Sequence, residues 1–425
     1  VSFFDKTSGS LRVLAFNRED FVRLANILAV ALAISLPWST SATGILIGLW
    51  LAALIPTIDL PSLRRVIFLP AGGFPVLLVA LSAVGLLWAN SPWTERLHGL
   101  ESFVKLLCIP LFLYQFCRSD NGRQVLIGFI ASCVLLLVVS WSLWAWPGMP
   151  WPGTPKSPGV PVKDYIAQSA MFTVCSLLLL QFAYDAWRDG RRPLALVTIM
   201  LALAFLANVS YVATSRTYLV VIPALLVVFG YRQFRWKGAI AMVFGCLVLA
   251  AATWPSATSM RARVISFFDE VGSYHPNATS TSAGERLMYW TKAAGFIKEA
   301  PLLGHGTGSI REQYRHSVAN QVGLAGELTT NPHNQTLAIG IQLGVVGIAV
   351  LLAMWIAHLE LFRSGSFAAW VGLVVVIQNI IGSLFNSHLF DFTHGWAYII
   401  GVGVAGGTLL TQSGAWPQRK HNSIN

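Results

Sequence analysis

The sequence predicts an all-α polytopic membrane protein, and three observations predict it. Of its 425 residues 55% are hydrophobic and only 11% charged, against about 25% charged in ordinary globular domains. Mean hydropathy is +0.62. Apolar runs of a length that spans a bilayer, roughly 17–25 residues, recur along the whole chain. They cover approximately 21–38, 41–59, 67–89, 101–117, 124–146, 164–186, 194–213, 217–231, 238–255, 335–358, 366–386 and 395–412, about twelve transmembrane helices. Pro75, Pro110 and Pro223 interrupt some of them. Three regions follow: 1–253 with the first nine helices, 254–334 as a long loop or lid, and 335–425 with three more helices and a tail.

The opening "VSFFDKTSGSLRVLAFNREDFVRLAN" is too polar for a signal-peptide core, so the first apolar run is expected to stay as a helix. The net charge of +11 would suit nucleic acid. The basic residues are instead spread through loops between apolar runs, which favours membrane lipids as the surroundings and no nucleic-acid partner. Short loops on one face carry Arg64, Arg65, Arg118, Arg123, Arg188, Arg191, Arg192, Arg232, Arg235 and Arg363. The positive-inside rule makes that face, and both termini, cytoplasmic. Cys108, Cys117, Cys133, Cys175 and Cys246 sit in or beside apolar runs without metal spacing, and read as small packing residues.

Two outer segments stand apart. "WPGMPWPGTPKSPGVPVKD" (146–164) is rich in proline and should be stiff and extended. The stretch from about Trp254 to Pro332 is too long for a mere connection. Leu287, Trp290, Ala294 and Ile297 recur in it at helical spacing, so it is expected to form a partly helical lid. "SYHPNATSTSAGE" (273–285) is expected to be its flexible part.

The candidate chemistry lies on this outer face. Arg216 in "ATSRTYLV" stands at the edge of hydrocarbon, where arginine is costly and usually has a reason, although a snorkelling anchor is the bland alternative. "MRAR" supplies Arg261 and Arg263, which a solvated or headgroup-contacting face would also explain. "GERLMYW" puts Arg286 at the start of an amphipathic helix, just before Tyr289 and Trp290. Converging guanidiniums suit an anionic ligand such as a diphosphate. "HLFDFTH" spaces His388, Asp391 and His394 three apart, too weak a ligand set to predict a metal. "PLLGHGTGS" (301–309) could be an anion nest or simply a tight turn.

"NPHNQTLAIGIQLGVVG" (331–347) reads as a helix start, with Asn331 as cap and Pro332 in first position. His333 then falls in the first turn, where the helix dipole should keep it neutral and able to act as a general base. Asn334 is expected to orient it or bind sugar. Gly340, Gly344 and Gly347 suggest close packing against a neighbour. A polar residue at headgroup level above a packing face explains the same pattern.

Three stretches in order, "TSRT", "GERLMYWTKAAGFIKEAPLLGHGTGS" and "PHNQTLAIGIQLGVVG", resemble the O-antigen ligase and polymerase superfamily across roughly 205–350. That resemblance implies a GT-C-like membrane glycosyltransferase of the bacterial inner membrane with a periplasmic active site, independent of metal and other cofactors; direct displacement by the acceptor hydroxyl would make it inverting. The donor would be O-antigen linked to undecaprenyl diphosphate. In the ligases the acceptor is a sugar hydroxyl of lipid A–core oligosaccharide. It also implies that Arg216, Arg286 and His333 are the essential positions. With the residue-level reading, Arg216 and Arg286 bind the diphosphate, His333 is the base, and Arg261, Arg263, Asn334 and Tyr289 are candidate substrate contacts. The large loop before the histidine helix favours ligase over polymerase. The short ending "QSGAWPQRKHNSIN" argues against a protein-glycosylating relative. A lipid-linked glycan flippase is the alternative of another class, but no internal repeat is visible.

Overall fold

The computed structural model describes residues 17–152, 157–272, 281–318 and 326–412. They fold into sixteen α-helices. The first seven are α1 (Arg18–Ser35), α2 (Thr40–Leu54), α3 (Leu60–Phe68), α4 (Pro70–Val84), α5 (Trp93–Val104), α6 (Cys108–Phe116) and α7 (Gly122–Ala145). Next come α8 (Tyr165–Arg188), α9 (Arg192–Tyr211), α10 (Arg216–Thr253), α11 (Thr258–Gly272), α12 (Ser282–Glu299) and α13 (Ile310–Val318). The chain closes with α14 (Gln335–Leu361), α15 (Phe367–Gly382) and α16 (Phe392–Gln412). Among the described residues the only strand-like pairing is an isolated bridge between Ser157 and Val160.

The chain is an all-α, multi-pass membrane protein. Seven described helices are long and apolar enough to cross a bilayer, or eight if α3 and α4, bent by 88°, count as one broken span. The remaining expected spans fall on elements diluted or cut short. Arg18, Glu19, Asp20 and Arg23 occupy the start of α1, and α15 has 16 residues. The runs 217–231 and 238–255 are the two arms of α10, broken at Phe234 and Arg235. Gly230 and Gly238 pack backbone to backbone there: a Cβ on Gly230 would lie 2.4 Å from the Gly238 carbonyl oxygen. Only glycine permits that approach, so the chain doubles back. The second arm bares Ile240, Phe244, Leu247 and Leu249, an apolar surface suited to lipid.

α8 is the most enclosed span, and Trp370 donates its indole N–H to the Leu177 carbonyl across the α8–α15 contact. The cysteines are all free thiols, with Cys108, Cys117, Cys133 and Cys175 buried as packing residues. A cavity of about 780 Å³ between α1, α7, α8, α15 and α16 is lined mainly by apolar groups, with Arg123 and Asp185 among them. It lies toward the face from which α15 starts, the far end from His333.

Above this core, α11, α12 and α13 form the helical part of the 254–334 segment. The buried stripe of α12 is Met288, Tyr289, Ala293 and Phe296, with Ala294 exposed. The face is therefore rotated from the Leu287–Trp290–Ala294–Ile297 line, because α12 packs on α11 and α13 as well as on α14. Met288, Tyr289, Phe296, Tyr314 and Ile341 make a second small core, each worth about 1.5–3 kcal/mol in apolar burial. Most of the expected flexible stretch, 273–280, lies outside the described residues.

α14 is not one continuous helix. Gly344 adopts φ +60° inside it, so this glycine breaks the helix and also admits the expected close neighbour, the backbone at Leu302. The freed backbone groups are taken up by 301–306. His305 N–H donates to the Ile341 carbonyl and Gly306 N–H to that of Gln342, while Val345 and Val346 donate to the carbonyls of Pro301 and Leu302. Gly304, Gly306 and Gly308 also have positive φ. The N–H groups of 304–309 are spent internally, on Ala300, Ile341, Gln342, Gly85 and Gly306 carbonyls and on the Gln342 side chain. An anion nest needs free donors, so this run is a docking turn.

Gly344→Ala should lower the melting temperature of the purified protein. Its Cβ would meet the Leu302 carbonyl oxygen at 2.3 Å, and the strained φ alone costs about 1–3 kcal/mol. Gly295→Ala, whose Cβ meets open space, should leave it unchanged or raise it slightly.

Candidate functional site

The backbone before α14 turns sharply. Asn331 Oδ1 accepts from the His333 N–H at 2.8 Å and from Ser387 Oγ at 2.7 Å, an Asx turn. His333 takes φ +53°, uncommon for a non-glycine residue and held only where its surroundings impose it. The helix starts after it. Asn334 is the N-cap, its side chain accepting from Leu337 N–H, and Gln335 is the first helical residue. The expected cap at Asn331 is thus displaced by three residues, and His333 precedes the first turn.

The loop between α15 and α16 holds this segment. Gln335 N–H donates to the Ser383 carbonyl, and Leu389 N–H to Gln335 Oε1. Asn334 Nδ2 donates to the Leu384 carbonyl at 3.2 Å, so capping and anchoring both employ this side chain. From α12, Trp290 Nε1 donates to the Pro332 carbonyl at 3.0 Å.

His333 Nδ1 lies 3.0 Å from Asn386 Oδ1, which also accepts from Asn331 Nδ2 at 3.3 Å. An amide oxygen accepts, so Nδ1 carries the proton and Nε2 keeps its lone pair. Burial, opposed by the Asn386 bond and reinforced by the Arg286 cation, pulls the His333 pKa below its ordinary 6.5. Desolvation and a neighbouring guanidinium thus do what a helix dipole was expected to do. Tyr289 stacks on the imidazole at 6.3 Å between centroids.

Arg216 opens α10 and reaches across to α11. It binds Glu270 bidentately, Nη2 to Oε1 at 2.5 Å and Nη1 to Oε2 at 3.2 Å, and Nη2 also donates to Ser266 Oγ at 2.8 Å. Glu270 Oε2 accepts further from Ala283 N–H at the start of α12. Hydrogen bonding from Arg216, with Arg286 nearby, holds the Glu270 carboxyl below its usual range. Burial lowers the Arg286 pKa, and the Arg216 charge adds to it. Arg216, Glu270, Arg286 and His333 therefore form one electrostatically linked row. Arg263 lies over the Tyr165 ring at 4.6 Å. Arg261 is half-buried on α11, and no polar contact brings it to this row.

His388, Asp391 and His394 stand behind the site. His394 Nδ1 donates to Asp391 at 2.8 Å and the His388 ring stacks on His394 at 4.1 Å. Among the described residues no group of three or more His, Cys, Asp or Glu side chains converges as a metal would need. A polar cavity of about 440 Å³ adjoins Asn331, Asn386, Ser387 and Asp391.

Sequence reasoning missed Glu270 and Asn386. Glu270 is an ordinary acid on an amphipathic stretch, and Asn386 lies far from His333 along the chain. The acceptor bias of "FNSHLFDFTH" was the one available signal.

Residues 201–352 match the family model described as O-antigen ligase. Over that stretch the chain is similar to the O-antigen ligases. The matched interval includes Arg216, Glu270, Arg286, His333 and the break at Gly344, and stops short of Asn386. A Rickettsia conorii protein named "Putative polysaccharide ligase" is 28% identical over 111 residues, 23% of this chain and 27% of its own length. A Rickettsia bellii protein of that name is 30% identical over 111 residues, again 23% and 27%. An uncharacterized protein of Haemophilus influenzae is 24% identical over 266 residues, 54% of this chain and 66% of its own. The chain thus spans only part of the relatives it matches, about a quarter of the Rickettsia proteins.

The electrostatic row yields a pH test. Removing the Arg286 cation relieves repulsion of the imidazolium, so Arg286→Gln should raise the His333 pKa. Diethyl pyrocarbonate modifies neutral imidazole. The pH midpoint of His333 modification, mapped by mass spectrometry, should lie below 6.5 in the wild type and higher in the variant.

Proposed function

We propose that this chain is an O-antigen ligase that moves a glycan from undecaprenyl diphosphate to a sugar hydroxyl of lipid A–core oligosaccharide. The observation that carries the reading is His333: its Nδ1 is tied to Asn386, its Nε2 lone pair is free, and its neighbour is a half-buried arginine. The acceptor hydroxyl attacks the anomeric carbon and gives its proton to Nε2. The bond from that carbon to the diphosphate oxygen breaks, and undecaprenyl diphosphate leaves with its growing charge balanced by Arg216 and Arg286. Single displacement inverts the anomeric configuration. His333 then returns the proton to water.

Tyr289 supports the imidazole and offers an aromatic face to sugar. Asn334 and Arg263 border the same region, and Arg261 lies on the helix that carries Glu270. The arginines supply the charge that a divalent cation would otherwise bring, so no metal or other cofactor takes part. The reading puts the site on the periplasmic side of the inner membrane, both termini in the cytoplasm, and the chain in the GT-C-like class with about twelve spans. What supports this placement is the loop arginines at the opposite end of the helices.

Reconstitution with lipid-linked glycan and lipid A–core tests the reading. Transfer to the core is the expected product, whereas elongation on the carrier would make the protein a polymerase. Movement between leaflets without a new bond would make it a transporter. His333→Ala should cost about 10²–10⁴-fold in transfer rate while leaving the melting temperature intact. Arg216→Lys should also fail, because an ammonium cannot reproduce bidentate binding. Transfer should continue in excess chelator, and loss restored by magnesium would refute the metal-free mechanism.

A further inference from the structure

We propose that Glu270 is the resident counter-ion of the diphosphate site, holding the Arg216 guanidinium until a donor arrives and then releasing it together with α11. The inference rests on Arg216 as a phosphate ligand. Glu270 occupies the positions that a phosphate group would take: both Nη atoms of Arg216 and the Ala283 N–H at the start of α12, with Arg286 beside it. Arg216 Nε is buried with no hydrogen-bond partner, a donor this carboxylate leaves unused.

The two charges compete. A carboxylate left on Arg216 would repel an incoming dianion across a few ångströms, so it has to move before both arginines can face the diphosphate. Without it, Arg216 would lose its carboxylate partner while standing beside the Arg286 cation.

α11 is built to move. None of its described side chains is buried, and Ile265, Phe268 and Val271 are exposed. With Glu270 and Ser266 on the other face, it is an amphipathic surface helix that can slide in the interface without opening a core. The ion pair that ties it to α10 has side-chain exposures of 23% and 16%, screened enough to be exchanged, and the Ser266 and Ala283 bonds belong to the same two residues, Arg216 and Glu270, or their neighbours. Displacement of α11 would also open a lateral path for a lipid-borne head group beside α10.

The test uses the full chain in nanodiscs with undecaprenyl diphosphate as the probe. Glu270→Gln should bind roughly two- to fivefold more tightly than wild type, the size of a part-exposed ion pair that no longer has to be broken. Arg216→Ala should lose binding. In the wild type, amide hydrogen exchange in 258–272 should accelerate when the probe binds. Glu270→Gln binding no more tightly, with exchange in 258–272 unchanged in the wild type, would overturn the counter-ion role while the loss in Arg216→Ala kept the phosphate site. Arg216→Ala binding like wild type would remove both. Should the glutamine variant not fold, the wild-type exchange result decides alone.

Discussion

Backbone groups at membrane depth must find partners within the protein, and the break in α14 makes that constraint act on the whole site. Opening the helix at Gly344 frees carbonyls and N–H groups that water does not reach. The turn at 301–306 fills them with its own backbone, and the glycines there are the residues that can approach so closely. That insertion pins the C-terminal end of α12 to the membrane domain. The start of α12, with Arg286 and Tyr289, is thereby set against His333, and the Trp290 bond to Pro332 closes the arrangement.

Around this frame the polar groups follow an economy of charge. His333 is held by an amide oxygen, which orients the ring without adding a carboxylate that would favour the imidazolium. A carboxylate in that place would raise the pKa of the imidazole and weaken the effect of Arg286. The acid of the row, Glu270, sits instead on Arg216, at the end remote from the histidine. One pair therefore favours the neutral imidazole, and the other holds a guanidinium on a carboxylate. Both depend on elements distant in sequence, α11 on one side and the α15–α16 loop on the other.

Much of this was legible along the chain. Hydropathy located seven or eight helices able to span, among the described residues, because a bilayer demands long apolar runs. Arg216, Arg286 and His333 stood out because polar residues at the edge of hydrocarbon are costly and therefore conspicuous. What was misread was local geometry. Asn331 resembles a cap, yet it makes an Asx turn, and Asn334 caps α14. Gly344 does admit a close neighbour, yet its positive φ also breaks the helix. Glycine spacing alone does not announce the break, since close approach and positive φ both need the missing Cβ.

The sequence by itself determined an all-helical membrane chain and a long segment, 254–334, with helices of its own. Those properties follow from composition and period, which are local; the resemblance in motif order singled out Arg216, Arg286 and His333. Tertiary structure decided how His333 is oriented, what Arg216 binds and which residues make the site one unit. Asn386 and Glu270 acquire their meaning only through contacts 53 and 54 residues away in sequence. No local pattern encodes a hydrogen bond between side chains that the fold alone brings within 3 Å.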